Sequence, residues 1–239
     1  MKTALITGAN QGIGFETARQ LAKMNYYIYL GSRNLEKGLQ AVEELKSEGL
    51  TNVELIEIDV TDTNSVKSAR QIIESKTHKL DLLINNAGIA GTQPQNISTV
   101  SIENLKNIFE TNFFGAVQTT QQFIALLKKS NRPTIINVSS PLGSLTMQSN
   151  SQNPNHRIYD AYSCSKTALN ALTVLLAREL EGINFRINSI EPGYTATNLN
   201  EYKGTQTVEQ AAGIIIKYVL SESTETGSFF DREGNKLNW

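Results

Sequence analysis

Tyr162 and Lys166 set a phenol and an ammonium four residues apart, in the stretch Tyr162-Ser163-Cys164-Ser165-Lys166. The apolar spacing around them reads as helix, and residues at that separation share one helix face. A positive charge held beside a phenol favours the phenolate, so Lys166 is expected to draw Tyr162 from the ordinary phenol pKa of about 10 towards neutrality. A drop of about three in pKa corresponds to roughly 4 kcal/mol of differential interaction. One lysine supplies part of that, and a second cation close by would supply more. The chemistry on offer is proton donation and abstraction at one oxygen. Tyr and Lys at this spacing also occur on ordinary surface helices, so the meaning of the pair depends on what the rest of the chain sets beside it.

The first element that must be positioned is a loop. An apolar run over 3–7 leads without a break into Gly8-Ala9-Asn10-Gln11-Gly12-Ile13-Gly14, and helical spacing takes over at 15–24. Strand, glycine loop and helix in this order let backbone approach a pyrophosphate, while the free amides and dipole of the helix start favour its charge. A tight turn is the plainer reading, but the place directly after the first strand favours a dinucleotide. The next strand, over 26–30, ends at Gly31-Ser32-Arg33 ahead of a charged helix over 34–47. In a dinucleotide fold an acidic group about 20 residues beyond the loop receives the ribose hydroxyl of NAD, whereas an arginine accommodates the phosphate of NADP. Arg33 stands 19 residues past Gly14, with Ser32 beside it as a second donor, so the reading is NADP(H) over NAD(H).

Strand and helix patterns keep alternating. A strand over 53–58 ends at Asp59-Val60, a helix follows over 64–76, and a strand over 80–84 opens into Asn85-Asn86-Ala87-Gly88. Asp59 either faces an adenine or caps the turn that follows it. The asparagine amides can hold neighbouring strands, and the small residues leave room for a cofactor. Residues 101–129 read as one long helix whose apolar face Asn112 interrupts. A buried asparagine needs partners, so Asn112 ties a helix carbonyl or holds a water near Lys166. A strand over 134–138 ends at Ser139-Ser140, and 141–160, rich in Ser, Asn and Pro, reads as an irregular loop and a candidate lid. A strand over 185–190 leads into Glu191-Pro192-Gly193-Tyr194-Thr195-Ala196-Thr197, followed by a helix over 207–220 and a short strand over 228–230. No repeat or linker divides the chain, so one α/β domain over 1–239 is expected.

Composition excludes several alternatives. With 239 residues, 39% hydrophobic and 19% charged, the chain can bury a sizeable core. A formal charge of −1 gives no footprint for nucleic acid or an anionic membrane. The apolar run at the N-terminus is too short for a signal peptide or a span, and the expectation is a cytoplasmic protein. Cys164 is the sole cysteine, and His78 and His156 sit apart in polar stretches, so no metal ligands are expected and both histidines read as solvated.

Taken together, the loop from Thr7 to Gly14, the Asn85 to Gly88 stretch, Asn112, Ser140, the Tyr162 and Lys166 pair and Pro192-Gly193 resemble the short-chain dehydrogenase/reductase family, in the family's order along the whole chain. The resemblance implies a single Rossmann fold, a doubly wound sheet of seven mainly parallel strands with helices on both faces and the cofactor across the strands' carboxyl ends. It makes Tyr162 the proton donor to a substrate carbonyl, with Lys166 on the nicotinamide ribose and Ser140 on the substrate oxygen. Ser140 is preferred to Ser139 because the family's serine stands three residues before a glycine, here Gly143. Asn112 would anchor a water linking Lys166 to solvent. Gly8, Asn10, Gln11, Gly12, Ile13 and Gly14 would hold the pyrophosphate side, Ser32, Arg33, Asp59 and Val60 the adenosine side, and Asn86, Ala87, Gly88, Pro192, Gly193, Thr195 and Thr197 the nicotinamide half, together with Tyr162 and Lys166.

Arg33 and the C-terminal Phe229-Phe230-Asp231-Arg232-Glu233-Gly234 ending at Trp239 are similar to the carbonyl-reductase-like branch. Ser140 and Tyr162 stand 22 positions apart, longer than is usual in the family, which reshapes the substrate entrance. The expected activity is NADPH-dependent hydride transfer to an aldehyde, ketone or quinone-like substrate, or the reverse. A non-catalytic NADP(H)-binding sensor of the same fold is the alternative, though such a binder has no need of Ser140, Tyr162 and Lys166 together. Met147, Tyr159, Tyr194 and Trp239 are candidates for an apolar substrate lining or for ordinary packing. The helices over 101–129 and 160–180 are apolar on more than one face. A monomer is expected, with 148–157 folded over that surface, and a homodimer or homotetramer is the alternative.

Overall fold

The computed structural model describes residues 1–152 and 157–239. His156 and part of the cover expected from 148–157 lie outside the described residues. Seven strands, β1 (Lys2–Ile6), β2 (Tyr26–Ser32), β3 (Val53–Glu57), β4 (Leu82–Asn85), β5 (Thr134–Val138), β6 (Arg186–Ile190) and β7 (Ser228–Phe230), form one sheet. Its order is β3-β2-β1-β4-β5-β6-β7, and every pairing is parallel.

Parallel neighbours require crossovers. They are supplied by α1 (Gly12–Lys23), α2 (Leu35–Ser47), α3 (Thr63–Lys76), α4 (Ile102–Phe109), α5 (Gly115–Leu127), α6 (Leu145–Gln148), α7 (Asp160–Glu179) and α8 (Val208–Leu220). Helices on both faces explain why Ala4, Leu5 and Ile6 are apolar in succession and all fully buried. Ile6, Ile28, Ile84 and Ile136 pack with Leu21 of α1, Leu45 of α2 and Ile215 of α8. Leu5, Leu83, Ile135 and Ile187 pack on the other face with Ile73 of α3, Phe123 of α5 and Leu176 of α7.

The helix expected over 101–129 divides. A π turn, Glu110–Phe114, separates α4 from α5 and carries Asn112. The stretch expected to be irregular also holds structure: a 3-10 turn, Pro141–Gly143, and the short α6, capped by Ser144, whose hydroxyl accepts the Met147 N–H at 3.1 Å. Thr146 donates its N–H and its hydroxyl to the Trp239 carbonyl at 2.9 and 2.7 Å, and Ser144 donates to the Asn238 carbonyl at 2.6 Å, so the end of the chain straps this insertion. On the outer helices Ile102, Phe114 and Leu175 stay exposed, so the described part of the cover does not reach them. No helix among the described residues is long and apolar enough to cross a membrane.

Candidate active site

The strand order reverses between β1 and β4, and the two segments leaving that switch point are laced together. The Thr7 hydroxyl accepts the N–H groups of Asn86 and Ala87, each at 3.1 Å, and the Asn86 amide donates to the carbonyls of Thr7 and Gly8 at 2.9 and 3.1 Å. The fit leaves no room for side chains. A Cβ on Gly14 would stand 2.4 Å from the Asn86 amide nitrogen, and one on Gly8, whose φ is +63°, would stand 2.9 Å from Ala87 Cα.

Cap residues then separate α1 from its neighbours. Asn34, Asp62, Ser101 and Thr207 each accept an N–H of the helix they begin. Gln11, the N-cap of α1, makes no such bond, so the amides of Gly12, Ile13 and Gly14 point out of the helix without a side-chain cap. Thr197 borders the same spot, since a Cβ on Gly12 would lie 3.4 Å from its methyl. Uncapped amides, glycines that admit close approach and a bordering hydroxyl suit a pyrophosphate.

At the end of β2, Arg33 is exposed and makes no ion pair or hydrogen bond among the described residues. Ser32 beside it is buried, and its hydroxyl donates to the Asn34 carbonyl at 2.8 Å, so the second donor expected there is already engaged. Asp59 caps its turn by accepting the Thr61 N–H and hydroxyl at 2.9 and 2.8 Å through one oxygen, and its other oxygen has no hydrogen bond among the described residues. Val60 packs against Gly115, with its carbonyl held by the Gln118 amide.

The proton-handling groups meet where β4, β5 and β6 end. Ser139 is turned inward and donates to Asn170 at 2.7 Å. Ser140 opens the 3-10 turn, accepts the Leu142 N–H at 3.2 Å, and its hydroxyl stands near enough to the Tyr162 phenol to pull its pKa down. That turn is seated on α7, because a Cβ on Gly143 would stand 2.8 Å from the Lys166 carbonyl carbon. The start of α7 has no cap of its own; Gln95, fully buried and 67 residues away, accepts the Tyr162 N–H at 3.1 Å. Lys166 donates to the Val138 carbonyl at 2.8 Å, and its nitrogen lies 5.6 Å from the centre of the Tyr162 ring.

Asn112 is placed by the widened π turn. Its amide donates to the Ile89 carbonyl at 2.9 Å and to the Ser165 hydroxyl at 3.0 Å, and its oxygen accepts the Ile89 N–H at 2.8 Å. Both amide hydrogens are therefore committed. The oxygen and the Lys166 nitrogen flank Gly88, standing 3.3 and 3.7 Å from the position a Cβ would take there.

Beyond β6, Gly193 turns with φ +93°, the Gln206 amide donates to the Pro192 carbonyl at 2.6 Å, and the Thr195 hydroxyl donates to the Gly193 carbonyl at 3.0 Å. Glu191, which carries no local sequence signal of function, is buried beside them and accepts the Gly193 N–H at 2.6 Å.

Electrostatics depart from the expectation of a phenol drawn towards neutrality. Burial pushes Tyr162 up to about 12; the Ser140 hydroxyl pulls it down and the Glu191 carboxylate pushes it further up. Lys166 does not offset this, because its ammonium is held by Val138 and faces the ring rather than the oxygen. Burial lowers Lys166 itself to about 8, which still leaves it mostly charged at neutral pH. A cavity of about 120 Å³ lined by Lys2, Asp81, Arg132 and Arg186 lies at the opposite end of the sheet and contains none of these groups.

Comparison with known proteins agrees with this layout. Residues 2–207 match the family model described as short chain dehydrogenase. The chain is 33% identical to (+)-neomenthol dehydrogenase of Capsicum annuum, over 96% of this chain and 95% of that one. It is 35% identical to the short-chain dehydrogenase anuI of Penicillium roqueforti, over 98% and 96%. Among solved structures, the NADPH-bound carbonyl reductase from chicken fatty liver superposes with a TM-score of 0.86 at 28% identity, covering 100% of this chain and 99% of that one. Salutaridine reductase from Papaver somniferum gives 0.85 at 27% identity, covering 96% and 99%. A match over most of the chain, on a sheet and site of this form, makes the protein an oxidoreductase of the short-chain dehydrogenase family.

Proposed function

We propose that residues 1–239 form one NADP(H)-binding domain of a cytoplasmic carbonyl reductase, which reduces an aldehyde, ketone or quinone-like substrate and can run in reverse as an alcohol dehydrogenase. The observation that carries this reading is the meeting of Ser140, Tyr162 and Lys166 beside the uncapped start of α1. When bound, NADP(H) supplies or receives the hydride. The open amides of Gly12 to Gly14 and Thr197 would hold its pyrophosphate, and Lys166 its nicotinamide ribose. Arg33, without an ion pair or hydrogen bond among the described residues, would take the 2′-phosphate, a preference that NAD(H) does not meet.

The chain's own work is alignment and proton control. Ser140 holds the carbonyl oxygen, and Tyr162 gives that oxygen its phenolic proton as the carbon accepts hydride. Asn112 fixes the Ile89 backbone and Ser165, and the space beside Gly88 suits a water between its oxygen and Lys166. Exposed Leu145, Ile158, Tyr194, Leu199 and Tyr202 come from segments around the strands' carboxyl ends, which supports an apolar substrate. Relatives named for neomenthol and salutaridine put those compounds on the test panel. A monomer is the proposed state, with Ile102, Phe114 and Leu175 left exposed on the outer helices, and light scattering decides it.

The test is NADPH oxidation against aldehydes, ketones and quinones by wild type and Tyr162→Phe. Turnover should vanish in the variant while NADPH affinity stays within a few-fold. A variant keeping a tenth or more of wild-type kcat refutes Tyr162 as the acid. NADPH binding with no turnover across the panel favours the sensor.

A further inference from the structure

We propose that Glu191 is a positioning residue of this site, whose carboxylate clamps the Pro192–Gly193 turn and keeps the proton on Tyr162, biasing the chain towards carbonyl reduction. The proposal rests on Tyr162 being the acid. Glu191 stands one residue beyond β6 and is 7% exposed. On one side Ser139 donates its N–H to the Ile190 carbonyl at 2.8 Å, and on the other Glu191 donates its own N–H to the Phe230 carbonyl at 2.9 Å. The residue is thus wedged among the ends of β5, β6 and β7, where the substrate and the nicotinamide half would meet. A carboxylate so deeply buried is unfavourable without partners.

It accepts the Gly193 N–H at 2.6 Å, and the Arg232 backbone and the positive charge of its guanidinium nearby also favour the carboxylate. Compensation is incomplete, because the Arg232 guanidinium also binds Glu233 at 2.8 Å and its side chain is 50% exposed. The uncompensated field falls on the phenol. Four elements face one another here: Lys166 on the helix of Tyr162, Ser140 after β5, Glu191 after β6, and Arg232 with Glu233 after β7. Among them Glu191 is the carboxylate that raises Tyr162.

The consequence is directional. In reduction the carbonyl carbon takes hydride, the oxygen takes the Tyr162 proton, and solvent returns a proton to the phenolate. Oxidation of the alcohol needs the phenolate at the outset. A fixed negative charge beside the phenol favours the first starting state and opposes the second.

Glu191→Gln keeps an acceptor for the Gly193 N–H and removes the charge. In the pH profile of kcat/KM for carbonyl reduction, the alkaline limb should move down by about one pH unit. At a fixed pH the ratio of reductive to oxidative rate should fall. Arg232→Gln, at a half-exposed position, should move the limb up. Tyrosinate absorbance of the chain alone, with Tyr162→Phe as blank, should shift in the same two directions. A merely structural role would lower rates without moving either titration. Unmoved limbs in active variants, or movement of both in one direction, overturn the proposal; should Glu191→Gln fail to fold, Arg232→Gln decides alone. If Tyr162→Phe retains turnover, the assignment of the acid has failed instead, and the two failures are distinct.

Discussion

Gly143 should prove one of the most sensitive positions in the chain, although it has no side chain to act on a substrate or cofactor. A Cβ there would meet the carbonyl carbon, Cβ and oxygen of Lys166 at 2.8, 2.9 and 3.0 Å. Ordinary carbon contacts begin near 3.5 Å, so Gly143→Ala forces the 3-10 turn off α7 by about 0.7 Å. Overpacking of this kind costs about 1–3 kcal/mol, or roughly 2–10 °C in Tm for a chain of this size. The same displacement carries Ser140 away from Tyr162, and it strains the bonds that Thr167 and Asn170 donate to the Gly143 carbonyl at 3.0 and 3.2 Å. Misplacement approaching 1 Å costs on the order of 10²-fold in rate. Gly213→Ala is the matched control: no atom lies within 4 Å of its Cβ position, so the helical alanine should stabilise by about 0.5–1 kcal/mol and leave kcat alone. Thermal unfolding and NADPH oxidation on both variants provide the measurement. A Gly143→Ala protein with wild-type Tm and kcat would refute the idea that this turn aligns the site.

Arg33→Asp should weaken NADPH by about 1–3 kcal/mol and move preference towards NADH. Equal NADPH affinity in titrations of wild type and variant would return Arg33 to a solvated surface role. Lys166 should leave a signature in stability against pH. Its native pKa of about 8 lies below the unfolded value near 10.4, so the unfolded chain binds more protons between them, and stability rises as pH climbs through that window. Urea unfolding should show wild type gaining on Lys166→Met by on the order of 2 kcal/mol from pH 8 to 10, and a flat difference would contradict the buried ammonium.

What was legible in the sequence was what local pattern controls. Unbroken apolar runs marked the central strands because both faces of a parallel sheet are covered, and the glycine loop announced itself because Gly8 and Gly14 have no room for a Cβ. The π turn at Glu110–Phe114 had no such signal: the apolar periodicity runs through it, and its widening is tied to what Asn112 grips at Ile89 and Ser165. Ser144 did carry a local sign of α6, a hydroxyl three residues before the N–H it caps, but four residues are too short a helix for periodicity to reveal. The state of Tyr162 was misjudged for a similar reason. Spacing put Lys166 on the right helix face, but burial governs the phenol, with Ser140 opposing it and Glu191, 29 residues further on, adding to it. Gln95 and Glu191 escaped notice because their partners come from distant elements.

Because β1 lies between β2 and β4, the bond from the Thr3 N–H to Asp81 and that from the Asn86 amide to Thr7 join residues 78 and 79 apart. A chain emerging from the ribosome can pair β1 with β2 and β2 with β3 early, yet one edge of β1 stays bare until β4 has been made. That edge belongs to a strand carrying Ala4, Leu5 and Ile6 in succession, so the interval is one in which pairing with a neighbouring chain competes with folding. Closing loops of this length is slow, and the strands that carry Ser140 and Glu191 are added only afterwards. The nucleotide-facing half is thus synthesised well before the proton-handling half, and a partly made chain could hold a dinucleotide's phosphates long before it could move a proton.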